Sequence, residues 1–226
     1  MLIELDGVGV EREGRPVLAG LDLSLTERRI GIVGANGSGK STLLRLFNGL
    51  AIPSAGRLRV DGLDPVTQAR QVRRRVGFVF QNPDLQIVMP LVSEDLAFGL
   101  RNLGAPRQDV GPRIDAVLRQ LGIEALASRH CHALSGGEKQ LVAPAAVLVM
   151  EPAILVFDEP TTLLDLRHRL RLGRCLAELP QAAIVASHDL DWLAGFDRIL
   201  VLEAGRVVLD DAPAVALPWY RRRQEA

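Results

Sequence analysis

Short apolar runs and turns alternate along the first third of the chain. Leu2 to Leu5 reads as one strand. Leu21, Leu23 and Leu25 alternate with Asp22, Ser24 and Thr26, the period-two pattern of a half-buried second strand. Arg29-Ile30-Gly31-Ile32-Val33 is shorter and more continuously apolar, as expected of a strand covered on both faces. It runs into a glycine-rich turn. Leu43, Leu44, Leu46, Phe47 and Leu50 then follow at helical spacing, with Gly49 near the close. Further apolar runs at Val76 to Phe80, Ile154 to Phe157, Ala183 to Ala186 and Ile199 to Leu202 are separated by helical stretches. That order predicts a parallel sheet with helices on its faces.

Between Asn82 and Met150 the pattern turns mostly helical. Ser93 heads Glu94-Asp95-Leu96-Ala97-Phe98, Ile114 to Leu121 ends at Gly122, and Ser135 opens another helix. This block is expected to be a helical subdomain, about 83–150, inserted into a core of about 1–82 and 151–210. Glu203-Ala204-Gly205 predicts a hairpin turn. The segment 211–226 reads as a tail, frayed from Pro218 to Ala226.

Composition narrows the function. Among 226 residues, 27 basic and 27 acidic side chains cancel, and 48% of positions are hydrophobic. This apolar content excludes disorder as the main state, and the neutral balance argues against a nucleic-acid partner. The longest apolar run, Leu141 to Met150, contains Pro144 and is far short of the roughly 20 residues of a spanning helix. Met1 to Asp6 has no signal-peptide pattern, and two cysteines, Cys131 and Cys175, make no disulfide framework. Only Lys40 and Lys139 are lysine. Their positions carry chemistry.

Gly34-Ala35-Asn36-Gly37-Ser38-Gly39-Lys40-Ser41-Thr42 fits G-x-x-x-x-G-K-[ST] between a predicted strand and a predicted helix. Glycines let backbone N–H groups and a helix N-terminus close around phosphates. Lys40 would neutralise the β- and γ-phosphates, and the Ser41 hydroxyl would reach Mg²⁺. A plain helix-capping turn is the bland alternative, and the strand–loop–helix context disfavours it. Ile154 to Phe157 is an apolar strand ending in Asp158-Glu159. In a parallel sheet that end lies beside the phosphate loop. Asp158 is then expected in the Mg²⁺ shell, and Glu159 is expected to orient or deprotonate a water. Ser135-Gly136-Gly137-Glu138 fits a helix capping box and, compatibly, a second anion site.

Leu134-Ser135-Gly136-Gly137-Glu138-Lys139-Gln140 resembles the signature of ATP-binding-cassette (ABC) ATPases. Gln81 after a core strand, Leu164-Asp165 after the acidic pair, and His188 after the Ala183 to Ser187 strand fall in the family's order. The resemblance covers roughly Ile3 to Asp210. It implies an α/β fold: a P-loop, RecA-like mixed-sheet core with an N-terminal antiparallel β-subdomain and an inserted helical subdomain. It also implies a head-to-tail dimer, expected to be a homodimer, with ATP sandwiched between Lys40 of one subunit and Ser135, Gly136 and Gly137 of the other. Gln81 would sense Mg²⁺ and a membrane partner, and His188 would contact the γ-phosphate.

Gln81-Asn82-Pro83-Asp84-Leu85-Gln86, Glu94 to Gly99 and Asn102-Leu103-Gly104 are similar to energy-coupling-factor importers of vitamins and metal ions. Asp158 to Arg167 is most similar to their biotin branch, with cobalt or nickel import the neighbouring reading. The implied partners are a transmembrane coupling subunit and a separate substrate-binding membrane subunit, with this chain peripheral at the cytoplasmic membrane face. A soluble cassette scaffold is the competing class. A P-loop GTPase fails, because neither lysine lies in an Asn-Lys-x-Asp motif.

Some positions depart from the family pattern. Leu141 replaces the usual basic residue after the signature, and Pro144 should bend the helix that follows. No aromatic stands where adenine usually stacks. Val10 and Arg12, two apart on a predicted strand, are expected to share the face that approaches the base. Asp84, Glu94 and Asp95 are expected to line a groove for a partner helix. The arginines at 73–75 and 221–223 read as solvated faces.

Overall fold

The computed structural model describes residues 1–225; Ala226 of the expected tail lies outside them. Along the chain run β1 (Ile3–Arg12), β2 (Arg15–Leu25), β3 (Arg29–Val33), α1 (Lys40–Phe47), β4 (Ala55–Val60), α2 (Ala69–Arg75) and β5 (Val76–Val79). Then come α3 (Val92–Asn102), α4 (Arg107–Leu121), α5 (Gly136–Leu148), β6 (Ile154–Asp158) and α6 (Leu166–Glu178). The chain closes with β7 (Ala182–Ala186), α7 (Leu190–Leu193), β8 (Arg198–Glu203), β9 (Arg206–Asp211) and α8 (Pro213–Glu225). Two compact units result. Among the described residues, one contains 1–78, 153–159 and 181–225; the other contains Val79–Pro152 and Pro160–Pro180.

The first unit carries two sheets. The smaller is antiparallel, in the order β2-β1-β4; the larger has the order β5-β6-β7-β3-β8-β9. Within the larger, β6, β7, β3 and β8 run parallel and β9 returns antiparallel to β8. β3 and β6 are buried at every residue, which explains their continuous apolar runs. Phe47 of α1 and Phe157 of β6 are fully buried, each worth about 1.5–3 kcal/mol of transfer free energy. The parallel order brings the carboxyl ends of β3, β6 and β7 to one edge. That edge is where the chemistry collects.

β1 departs from the expected alternation. Its pairing with β2 shifts register between Leu5 and Val8, between Val8 and Val10, and between Val10 and Glu11. Val10 lies in the core at 4% exposure, whereas Glu11 and Arg12 lie exposed at the hairpin end. The expectation that Val10 and Arg12 share one face is therefore corrected. A register shift between them breaks the period of two that the sequence argument assumed.

The second unit is helical. α4 begins at Arg107, earlier than its apolar stripe suggested, and ends on Gly122 in the left-handed region. Arg171 of α6 donates to the Gly122 carbonyl at 2.7 Å, fixing α6 against that terminus. α3 begins at Val92, so Ser93 is not its cap. α5 runs through Pro144 without interruption. Gln140 of α5 is fully buried, and neither carboxamide atom finds a hydrogen-bond partner among the described residues.

The frayed tail is also corrected. α8 is a helix whose Ala216, Leu217 and Tyr220 are buried in the first unit, packed on β8 and β9.

Candidate functional site

The turn between β3 and α1 holds Gly34 to Gly39. Its crown, Ala35, Asn36 and Gly37, is exposed, while Ser38, Gly39, Lys40 and Thr42 are buried. Gly39 is the N-cap of α1 with φ 106°, and no side chain caps the helix. A Cβ at Gly39 would meet Leu18 Cδ2 at 2.7 Å, so both conformation and space require glycine there. The first N–H groups of α1 thus lack a side-chain acceptor at the mouth of an open loop. Ser38 Oγ is buried with no partner among the described residues. These are the features of an anion cradle.

Lys40 bends back over the loop. Its Nζ donates to the Gly34 carbonyl at 2.7 Å and the Ala35 carbonyl at 3.3 Å. Burial pushes the Lys40 ammonium below the usual lysine range, while Glu159 and Asp158 pull it back up. Glu159 Oε1 stands 3.9 Å from Lys40 Nζ.

The end of β6 delivers the carboxylates. Ser41 Oγ donates to Asp158 Oδ1 at 3.0 Å, so hydroxyl and carboxylate stand side by side. Burial raises the Asp158 carboxyl above its ordinary range, opposed by Ser41, Arg45 and Lys40. Glu159 has φ 50°, an uncommon conformation for a non-glycine residue, and its N–H donates to the Ala186 carbonyl at 2.9 Å. Burial raises this carboxyl too, with His188 and Lys40 acting the other way. The His188 N–H donates to Glu159 Oε2 at 3.1 Å. Its ring Nε2 lies 3.3 Å from Glu159 Oε1 and 3.2 Å from Asn36 Oδ1. Lys40, Ser41, Asp158, Glu159, His188 and Asn36 therefore form one cluster from three separate stretches.

The β8–β9 hairpin falls at the predicted Glu203 to Gly205 turn, but sequence reasoning missed its contact with the phosphate loop. The Gly205 N–H donates to the Ser38 carbonyl at 3.0 Å, and the Gly205 carbonyl accepts from Ala19 N at 3.0 Å. No local signal announces it, because the turn lies far along the chain from the loop it supports.

The remaining candidates lie in the helical unit. Gln81 is exposed in the bend after β5. Ser135 caps α5: Glu138 N–H donates to Ser135 Oγ at 3.3 Å, and Ser135 N–H donates to Glu138 Oε2 at 2.7 Å. That backbone donor holds the Glu138 carboxyl below its ordinary value. Ser135 and Gly136 are exposed, and a Cβ at Gly136 would meet nothing closer than Leu163 Cδ1 at 3.7 Å.

The acidic groove lining is corrected in part. Asp95 is buried and accepts from Val88 N at 2.8 Å and Met89 N at 3.0 Å, so it shapes the preceding loop. Asp84 pairs with Lys139 at 2.6 Å, which leaves Glu94 as the exposed acid of the three without a partner among the described residues. Gln86 also ties this segment to α5, accepting from Phe80 N at 3.2 Å and donating to the Ala143 carbonyl at 3.0 Å.

A lysine-bearing phosphate loop set against a strand-end carboxylate pair defines a P-loop nucleoside triphosphatase. The ABC transporter family profile matches residues 18–162. A putative ABC transporter ATP-binding protein of Deinococcus radiodurans is 56% identical over 98% of each chain. The biotin transport ATP-binding protein BioM of Rhizobium etli is 45% identical, again over 98% of each. Among solved structures, cbiO1 of Clostridium perfringens, part of the ABC transporter complex cbiONQ, superimposes with TM-score 0.85 at 32% identity. That match covers 99% of this chain and 93% of the other. The chain belongs to the ABC transporter ATP-binding family. It is an ATPase with the nucleotide-binding-domain fold, of the importer class that includes energy-coupling-factor, biotin, cobalt and nickel systems.

Proposed function

We propose that the chain is the ATP-hydrolysing subunit of an energy-coupling-factor importer whose cargo is biotin. The observation that carries the chemistry is the cluster at the end of β6, with Ser41 on Asp158 and Glu159 between Lys40 and His188. In this reading Gly34 to Thr42 wrap the triphosphate of ATP, and Lys40 leaves the loop carbonyls to meet the β- and γ-phosphates. Glu159 orients the attacking water and accepts its proton. His188, held by Glu159 and Asn36, contacts the γ-phosphate. The paired oxygens of Ser41 and Asp158 suit Mg²⁺, with Gln81 as a further ligand; Mg²⁺ would neutralise charge on the phosphate oxygens.

A second copy in head-to-tail arrangement supplies Ser135, Gly136 and Gly137 to the far side of the nucleotide. Gln81 relays nucleotide state to a transmembrane coupling subunit, which works with a substrate-binding membrane subunit. No helix among the described residues is long and apolar enough to cross a membrane, in keeping with a peripheral place on the cytoplasmic face. The same sequence stretches support cobalt or nickel as the alternative cargo.

Purification from membranes in mild detergent tests the reading. Two co-purifying membrane proteins and ATP-dependent biotin uptake are expected. Uptake of cobalt or nickel instead replaces the cargo, and exclusively soluble partners replace the transporter with a scaffold.

A further inference from the structure

The C-terminal helix α8 reaches two segments that build the nucleotide cluster, although none of its residues belongs to that cluster. Arg223 grips Glu203 with a fork: Nε lies 3.1 Å from Oε1 and Nη2 lies 3.2 Å from Oε2. Its guanidinium also stacks 5.7 Å over the Trp219 ring, which fixes the fork in place. Glu203 is the last residue of β8, two positions before Gly205, whose N–H holds the Ser38 carbonyl of the phosphate loop. A Cβ at Gly205 would stand 2.4 Å from the Val17 carbonyl, so the turn is pressed against β2 as well. Leu202 of the same strand closes on the loop's other end, its carbonyl 2.3 Å from where a Cβ at Gly34 would sit.

Arg221 pairs with Asp191 of α7. α7 is the short helix that directly follows the His188 segment, and His188 faces both Glu159 and Asn36. The two arginines, two positions apart on one helix, thus reach both flanks of the cluster. Just before them Tyr220 is buried at 6% exposure, and with Ala216 and Leu217 it seats the helix on β8 and β9.

We propose that α8 is a positioning brace for the nucleotide site. Seated on β8 and β9, it holds the hairpin turn under the phosphate loop through Arg223–Glu203 and steadies the His188 segment through Arg221–Asp191. The inference rests on the phosphate loop being the nucleotide site and goes beyond it by giving the far C-terminus control over nucleotide affinity.

Because the ion pairs are partly exposed, each should act by small factors. The test uses the full chain. ATP affinity and thermal unfolding are measured for Arg223→Glu, Glu203→Arg and the charge-exchanged double variant. A second set, Arg221→Glu with and without Asp191→Arg, is read for turnover against KM. Arg223→Glu is expected to weaken ATP binding by about twofold to fivefold, with little change in Tm. The double variant should recover most of the lost affinity. Arg221→Glu should lower kcat more than it raises KM, again with recovery in its double.

Unchanged affinity and turnover in all variants, or losses that track Tm and are not recovered by the doubles, would overturn the brace. A parent chain that binds no ATP would instead overturn the site on which the brace rests.

Discussion

Two glycine-rich turns open helices in this protein, one in each unit, and they dispose of their helix N-termini in opposite ways. The turn before α1 is capped by Gly39, which offers no side chain, and leaves its first N–H donors open beside buried Ser38 and Lys40. The turn before α5 is capped by Ser135 and closed by Glu138 in a reciprocal box. The first places a cation, Lys40, inside the loop; the second folds an anion, Glu138, back onto the N–H of its own cap, Ser135. A glycine N-cap is only about a few tenths of a kcal/mol less stabilising than a good side-chain cap. The α1 turn bears that cost and keeps its first N–H donors free of any side-chain cap. The α5 turn is locally satisfied and presents only an exposed serine and glycine. Changes at the first should therefore act on the nucleotide itself, and changes at the second on what a nucleotide-loaded chain does next.

The largest effect is expected beside the first turn. Glu159→Gln should retain ATP binding while phosphate release falls about a hundredfold or more, because a proton acceptor of that kind contributes about 10²–10⁴-fold. An ATP-bound dimer should accumulate, visible by size-exclusion chromatography. Near-normal turnover would remove Glu159 from its role.

The second turn gives the sharper separation. Gly136→Asp should abolish turnover while monomer affinity for ATP stays at the parent value, since the added Cβ has room and the carboxylate would oppose phosphate oxygens only across a dimer. Assays of mixed dimers with one altered subunit decide this. If monomer affinity falls as far as turnover, the two turns do not divide the labour as argued.

A smaller effect is expected for Ser135→Ala, which removes one half of the box and frees Glu138. Tm should fall by about 2–4 °C, the range for a loss near 1 kcal/mol in a chain of this size. ATP affinity of the isolated chain should not change. A Tm equal to that of the parent would mean the cap adds nothing to α5.

The smallest effect concerns the base. Arg12→Tyr at the β1 hairpin should tighten ATP and GTP alike by about fivefold or less, the difference between arginine and aromatic stacking. Neither side chain reads the hydrogen-bonding edge of a purine. A change confined to one nucleotide, or none in either, would move the base elsewhere.

What the sequence made legible was mostly short in range. The phosphate loop, the β6 strand ending in Asp158-Glu159 and the Ser135 box each occupy one stretch, where spacing alone sets the local geometry. Gly122 and the Glu203 to Gly205 turn were readable for the same reason. What escaped depends on distant partners. α8 contains Pro218 and a run of arginines, which look like a loose end until Asp191 and Glu203 are found beside Arg221 and Arg223, 30 and 20 positions away. Asp95 looked available on an acidic helix start, yet the loop at Val88 and Met89 claims it. The β1 irregularities leave no mark in the pattern, because Val8 and Val10 keep the apparent alternation while the pairing shifts around them.

Those register shifts have a bearing on how the protein can change over time. The last shift falls between Val10, which is anchored in the core, and Glu11; Glu13 and Gly14 hold the turn at positive φ, but the exposed side chains of Glu11, Arg12 and Arg15 can change without disturbing the interior. A residue there can be exchanged by drift at almost no cost to folding. On the reading that sets Arg12 against the base, that side chain is an evolutionary free variable, and intolerance to its replacement would point to selection on nucleotide use rather than on folding.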